Sequence, residues 1–211
     1  MHSAMKSHNM IIKDVVRIGT MIMQTTADIA EGLKSSNYSM FTEPMEQLAN
    51  IDIDTNSINN KIVSLIPVFC KDEQTAREFV SYVRIITKFA QTAHAMRYFC
   101  KNITYCINEC LKDNVSQLFQ TSMDAFDMAL ELIKNNSNIK STFRMIKTEQ
   151  MKCDELLAQI ERNIMGFDMK PALDYIKIVN ILGKMGFVSK NAVAIAKIVV
   201  LTQDGGELRI Y

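Results

Sequence analysis

The stretch DEQTAREFVSYVRIITKFAQTAHAMRYFCKNITYCINECLKD, residues 72–113, contains neither Gly nor Pro. Along it Val83, Ile86, Ala90, Ala93, Met96, Cys100, Ile103, Ile107 and Cys110 recur at steps of three and four. That spacing keeps one helical face against a partner. The pattern predicts one unbroken helix from Asp72 to Asp113, about 42 residues and roughly 60 Å long at 1.5 Å per residue. A helix of that length is the spine of a bundle or a coiled coil. Its inner face carries no carboxylate and one histidine, His94.

Outward from this spine the same periodicity continues. Ile11, Val15, Ile18, Ile22, Ile29 and Leu33 form one stripe from Met10 to Lys34, with polar Thr25 filling the gap in the series. The polar turn Ser35-Ser36-Asn37 follows. Thr42 is the expected N-cap of a second helix that Pro67 closes, and Asp72 caps the third. Asn114, with Gln117 three residues on, opens a fourth helix in a variant capping box. Asn135-Asn136-Ser137-Asn138 ends it. A fifth helix carries Ile139, Phe143, Ile146, Cys153, Leu157, Ile160 and Ile164 up to Gly166. Asp168 and Pro171 open the sixth, which stops before Gly205-Gly206. Within it, Gly183 and Gly186 cost about 1 kcal/mol each relative to Ala, which predicts a close helix contact or a kink there.

Seven Gly, three Pro and no Trp in 211 residues supply too little turn material for a β-rich fold, and an apolar fraction of 48% is ample for a core. The expected architecture is all-α, a six-helix bundle made of two tandem three-helix repeats. A shift of 100 positions lays Glu31-Gly32-Leu33-Lys34 on Glu131-Leu132-Ile133-Lys134, Met23 on Met123, Met45 on Met145, and Asp54 on Asp154. The expected units are residues 10–113 and 114–202, with tails at 1–9 and 203–211.

Composition excludes several function classes. The formal charge is +1, with both signs mixed along the chain and no basic run interleaved with aromatics, so nucleic acid is not an expected partner. The five cysteines (Cys70, Cys100, Cys106, Cys110 and Cys153) are an odd number at helix-face positions, which reads as free thiols in a reducing compartment. Cys106 and Cys110 share a helical face, but no Cys or His pair stands near to complete four ligands. The longest apolar run, Ala192 to Leu201, is short for a span and holds Lys197. Residues 1–9 carry Lys6 without an apolar core behind it, unlike a secretory signal, so the expected location is cytoplasmic. No Glu precedes His2, His8 or His94 by three residues, which excludes a ferritin-type di-metal centre. Neither an activated nucleophile nor a Gly-rich phosphate loop is present. No catalytic, cofactor-binding or metal-ligating residue is therefore assigned, no cofactor is expected, and the chain does not read as an enzyme. Fifteen methionines fill core gaps or form an adaptable apolar docking surface.

Two tandem three-helix repeats over nearly the whole chain resemble PhoU and its PhoU-like relatives. The resemblance rests on helix order and on an acidic residue in each second helix, Asp54 in Asn50-Ile51-Asp52-Ile53-Asp54 and Asp154 in Lys152-Cys153-Asp154-Glu155-Leu156. It rests also on the third helices, where Phe89-Ala90-Gln91-Thr92-Ala93-His94 and the Ala-Val-x-Ile-Ala part of 185–197 occupy corresponding places. There the family carries two carboxylates one turn apart, a spacing that can bridge metal ions. This chain has Ala90 and His94 in the first repeat and Gly186 and Lys190 in the second, and Lys190 repels a cation. Asp52, Asp54, Glu149, Asp154, Glu155 and His94 are the remaining groups with ligand chemistry. The resemblance implies a regulatory or accessory protein of inorganic phosphate transport. It would bind a membrane transporter or its sensor kinase from the cytoplasm, peripheral to the inner face of the membrane, as a homodimer. The alternative is a helical-bundle interaction protein, self-associating or docking, unrelated to phosphate.

Overall fold

The computed structural model describes residues 2–69, 73–105, 111–135, 138–165 and 172–203. These form α1 (His2–Gln24), α2 (Thr26–Ser35), a 3₁₀ turn (Tyr38–Phe41), α3 (Thr42–Phe69), α4 (Glu73–Asn102), a second 3₁₀ turn (Ile103–Tyr105), α5 (Lys112–Lys134), α6 (Ile139–Met165) and α7 (Ala172–Gln203). No strand occurs among the described residues, and the all-α expectation holds. The Asp72 cap, Cys70, Cys106, Cys110, the Gly166-Asp168-Pro171 signals and the tail after Gln203 lie outside the described residues.

Several boundaries differ from the sequence reading, each for a local reason. The first helix starts at His2 rather than Met10, and it breaks at Thr25 into α1 and α2. The Thr25 hydroxyl and amide both donate to the Ile22 carbonyl, at 2.7 and 3.2 Å, so that carbonyl takes a tight i−3 partner in place of the regular helical bond. The spine is not unbroken to Asp113. At Asn102 the side-chain amide donates to the Tyr98 carbonyl at 2.7 Å, and the chain tightens into a 3₁₀ turn. Thr42 has helical φ and ψ, so it is the first residue of α3 and not its cap. Pro67 lies inside α3 in its last turn. Its missing N–H removes the regular helical donor to the carbonyl of Val63, a residue that is itself exposed. Finally, α5 begins at Lys112, ahead of Asn114.

α1, α3 and α4 pack on one another, as do α5, α6 and α7, and the two sets meet most extensively along α4 and α7, with α1 and α2 also against α5. The buried residues reveal how the units correspond. Along the first helices the shift is 100 positions: Ile11 matches Leu111, Val15 Val115, Ile18 Leu118, Thr25 Ala125 and Ile29 Ala129. Along the second helices it grows to 102, with Phe41 on Phe143, Ile51 on Cys153, Ile58 on Ile160 and Ile62 on Ile164. Along the third it falls to 96, with Ile86 on Leu182, Phe89 on Met185, Phe99 on Ile195 and Cys100 on Ala196. A single offset is therefore corrected for the second helices: Asp154 corresponds to Asp52 rather than Asp54, and Met145 does not answer to Met45. The third-helix shift does place Ala90 on Gly186 and His94 on Lys190.

α7 is the most apolar of the helices because it packs on α4, α5 and α6 together, and its remaining side exposes Lys177, Lys190 and Lys197. By length and composition Asp174–Gln203 would suffice to cross a membrane, a longer candidate than the Ala192–Leu201 run. Its two glycines behave differently. A Cβ on Gly186 would lie 2.6 Å from Leu157 Cδ1, so α6 and α7 do approach closely there. A Cβ on Gly183 would meet nothing within 4 Å. Gly183→Ala is accordingly expected to stabilise the protein by about 0.5–1 kcal/mol through helix propensity alone. Gly186→Ala should gain less, because Leu157 must move. Urea midpoints of the two variants check the contrast.

Candidate functional site

The third helices meet along an antiparallel seam. Ser81 of α4 shares a hydrogen bond with Thr202 of α7 (Oγ to Oγ1, 2.5 Å), Asn191 Nδ2 donates to Thr92 Oγ1 at 3.3 Å, and Lys184 Nζ lies 5.0 Å from the Tyr98 ring centre. Thr92 and Asn191 are both buried in this interface. A hydrogen-bonded buried pair of this kind favours one register of the two helices, since a slip would leave both groups unsatisfied.

The residues singled out from the sequence sit on the outer side of this seam and its flanks. His94 and Lys190 are exposed, Ala90 is half-buried and Gly186 buried. Four of the nearby carboxylates already have a protein cation or amide. Asp154 Oδ1 lies 3.6 Å from Lys190 Nζ, and its other oxygen accepts from Gln150. Asp54 pairs with Arg17 at 3.1 Å, Asp14 with Lys61 at 2.6 Å, and Glu149 with Lys152 at 2.7 Å. The Glu149 hydrogen bond raises the pKa of Lys152. Asp52 and Glu155 remain apart from these pairs. His94 stands alone on α4, and among the described residues no three His, Cys, Asp or Glu side chains come together as a metal set. The carboxylate-bridged metal centre implied by the PhoU resemblance does not fit these residues. At the second site an ammonium occupies the charge position, and the first has lost its carboxylates altogether.

Under the second site lies a buried polar knot that periodicity does not reveal. Ser122 of α5 meets Cys153 of α6 at 3.4 Å, and Ser189 of α7 lies beside the same thiol. Both hydroxyls also satisfy local carbonyls, Leu118 and Gly186. The matching positions in the first unit, Ile22, Ile51 and Ala93, are apolar. Burial raises the Cys153 pKa, and the two hydroxyls lower it in part. Cys100 is pushed up to about 12, chiefly by desolvation. Neither thiol is an activated nucleophile.

Cys100 makes a testable contribution to alkaline unfolding. Its folded pKa stands above the ordinary value of 9.0, so native protein holds this proton after the unfolded chain has released it. The contribution to stability is complete below about pH 9. It declines as pH rises toward 12, at about 1.4 kcal/mol per pH unit. Urea unfolding between pH 8 and about pH 10.5 is expected to show a shallower decline for Cys100→Ala than for the parent.

The described residues form a helical bundle with a shared core and ion pairs along its outer face. No family sequence model and no curated protein sequence matches the chain. Its fold is similar to that of solved PhoU structures. The phosphate transport system regulatory protein PhoU from Streptococcus pneumoniae superposes with a TM-score of 0.81 at 14% identity, over 99% of this chain and 100% of that one. A PhoU-like phosphate regulatory protein from Shewanella oneidensis MR-1 gives 0.66 at 12% identity, covering 92% and 99%. PhoU from Pseudomonas aeruginosa gives 0.57 at 14%, covering 95% and 98%. The likeness establishes the fold.

Proposed function

We propose that this chain is a divergent PhoU-like protein that regulates or accompanies inorganic phosphate transport. It acts without catalysis, by docking from the cytoplasm on a membrane transporter or its sensor kinase. The observation that carries this reading is end-to-end agreement with a phosphate transport regulator, 99% of one chain against 100% of the other at a TM-score of 0.81. The departures at Ala90, His94, Gly186 and Lys190 belong to the same reading: regulation here proceeds through protein contacts without a bridging metal.

Deletion of the gene from its host tests the function. Phosphate uptake, or the expression of phosphate-responsive genes, is expected to change and to return when the chain is supplied in trans. Unchanged uptake and expression under both phosphate-replete and phosphate-starved growth would refute it.

A further inference from the structure

Charge is distributed unevenly among the helices, although the linear sequence mixes the two signs; α1 holds three Lys or Arg against one carboxylate and α6 five against four. α4 and α7 together hold nine Lys or Arg against three carboxylates. α2, α3 and α5 hold four against ten. The exposed stripes of α4 and α7 also face the same side. Arg77, Val80 and Arg84 of α4 line a cleft of about 440 Å³ with Ile198 and Leu201 of α7. At the other end of the seam Lys184 of α7 reaches over Tyr98 of α4.

The α4 and α7 acids are already engaged, Glu73 by Arg77, Glu78 by Gln74 and Asp174 by Lys177, and Asp154 of the neighbouring α6 is engaged by Lys190. Arg84, Lys101 and Lys197 are exposed and have no ion-pair partner among the described residues. Between the cations stand Val80 (44% exposed), Tyr98 (39%), Phe187 (41%) and Ile176 (52%). Beside Phe187, Gly183 leaves open space.

We propose that the outer α4–α7 seam is a membrane-contact face that seats on an anionic lipid surface. Basic side chains interspersed with protruding aromatic and aliphatic ones match a negatively charged headgroup layer over an apolar boundary. The pattern favours a plane over a groove-bound protein segment, because Arg84 and Lys101 lie about 25 Å apart along α4 rather than around one cleft. The acidic helices α2, α3 and α5 would be repelled by the same surface, which selects the orientation.

Sedimentation with vesicles of phosphatidylcholine alone, or with about one-third phosphatidylglycerol, tests the proposal. The full chain is expected to bind only the anionic vesicles and to be released in roughly 0.5 M salt. Arg84→Gln, Lys101→Gln and Lys197→Gln combined should weaken binding by on the order of a hundredfold, roughly fivefold for each charge. Lys34→Gln, Lys112→Gln and Lys134→Gln combined change net charge equally on the acidic helices, and should leave binding within about twofold. Phe187→Ala should weaken it several-fold without altering the thermal transition. Failure of the parent to bind anionic vesicles would overturn the proposal. So would equal losses from the two triple variants, or retention of an acidic peptide or oligonucleotide in place of vesicles. None of these outcomes depends on a role in phosphate transport.

Discussion

Phe89→Ala is expected to cost about 3–5 kcal/mol, a large part of the whole stability of a domain this size. Phe89 is fully buried on α4, and its ring meets Phe126 of α5 edge-on at 5.5 Å between centroids, with an interplanar angle of 63°. The two rings come from different three-helix units, so this contact crosses the junction between them. Alanine removes the ring and leaves a cavity lined by residues that cannot collapse, because both α4 and α5 are held by other helices. The edge-to-face pairing adds about 0.5–1.5 kcal/mol beyond the buried area. Phe89→Leu should recover more than half of the loss. Urea unfolding followed by circular dichroism gives the magnitudes, and it tests a second point. Because the units share this core, both variants should still unfold in one transition. Two separated transitions would mean that the units are independent domains.

The helix class and the buried stripes were legible because amphipathic spacing is a local signal. Ile11, Val15, Ile18, Ile22, Ile29 and Leu33, all named from periodicity, are all buried, and so is Thr25. What spacing missed depends on contacts between distant residues. Gly183 and Gly186 look alike in sequence, yet one faces open space and the other meets Leu157. The two-residue change of register in the second helices is invisible to a single offset, which is why Asp154 was matched to Asp54. Side chains that compete with the backbone, Thr25 and Asn102, ended helices that apolar spacing alone would continue. The uneven distribution of charge was hidden for a topological reason. Basic α4 and α7 are separated in sequence by α5 and α6, and only their packing brings them to one face.

That packing also gives physical content to the altered motif. In a carboxylate-bridged centre the positive charge is bound from solution and can be removed. Lys190 brings its charge on the chain itself, 3.6 Å from Asp154. Both partners are substantially exposed, so the pair adds at most about 1 kcal/mol to stability. Its consequence is for the surface: α7 presents a fixed cation whatever the metal supply. Such a face keeps its charge under chelation, which suits a contact made directly by side chains.

Gly19→Val should be the most damaging single addition of atoms, with an expected loss of about 3 kcal/mol. Gly19 was not among the residues that periodicity singled out, yet it lies where three helices meet. A Cβ there would stand 2.5 Å from Leu130 Cδ1 on α5 and 3.0 Å from Phe89 Cζ on α4. Its counterpart in the second unit is Phe119, also buried, so the two junctions are filled from opposite sides: a ring in one, a gap in the other. Alanine at this position presents opposing effects. It gains about 1 kcal/mol of helix propensity and must displace the end of Leu130, so the net change should be small. Valine adds two methyl groups with one strongly preferred helical rotamer, and these cannot avoid both Leu130 and Phe89. If the clash with Leu130 is the cause, the damage must depend on Leu130. Leu130→Ala alone opens a cavity and costs about 2–5 kcal/mol, but Gly19→Val should fill part of that space. The double variant is therefore expected to be more stable than the sum of the single losses by about 1–3 kcal/mol. Strict additivity would place the strain elsewhere, in Phe89 or in the backbone of α1.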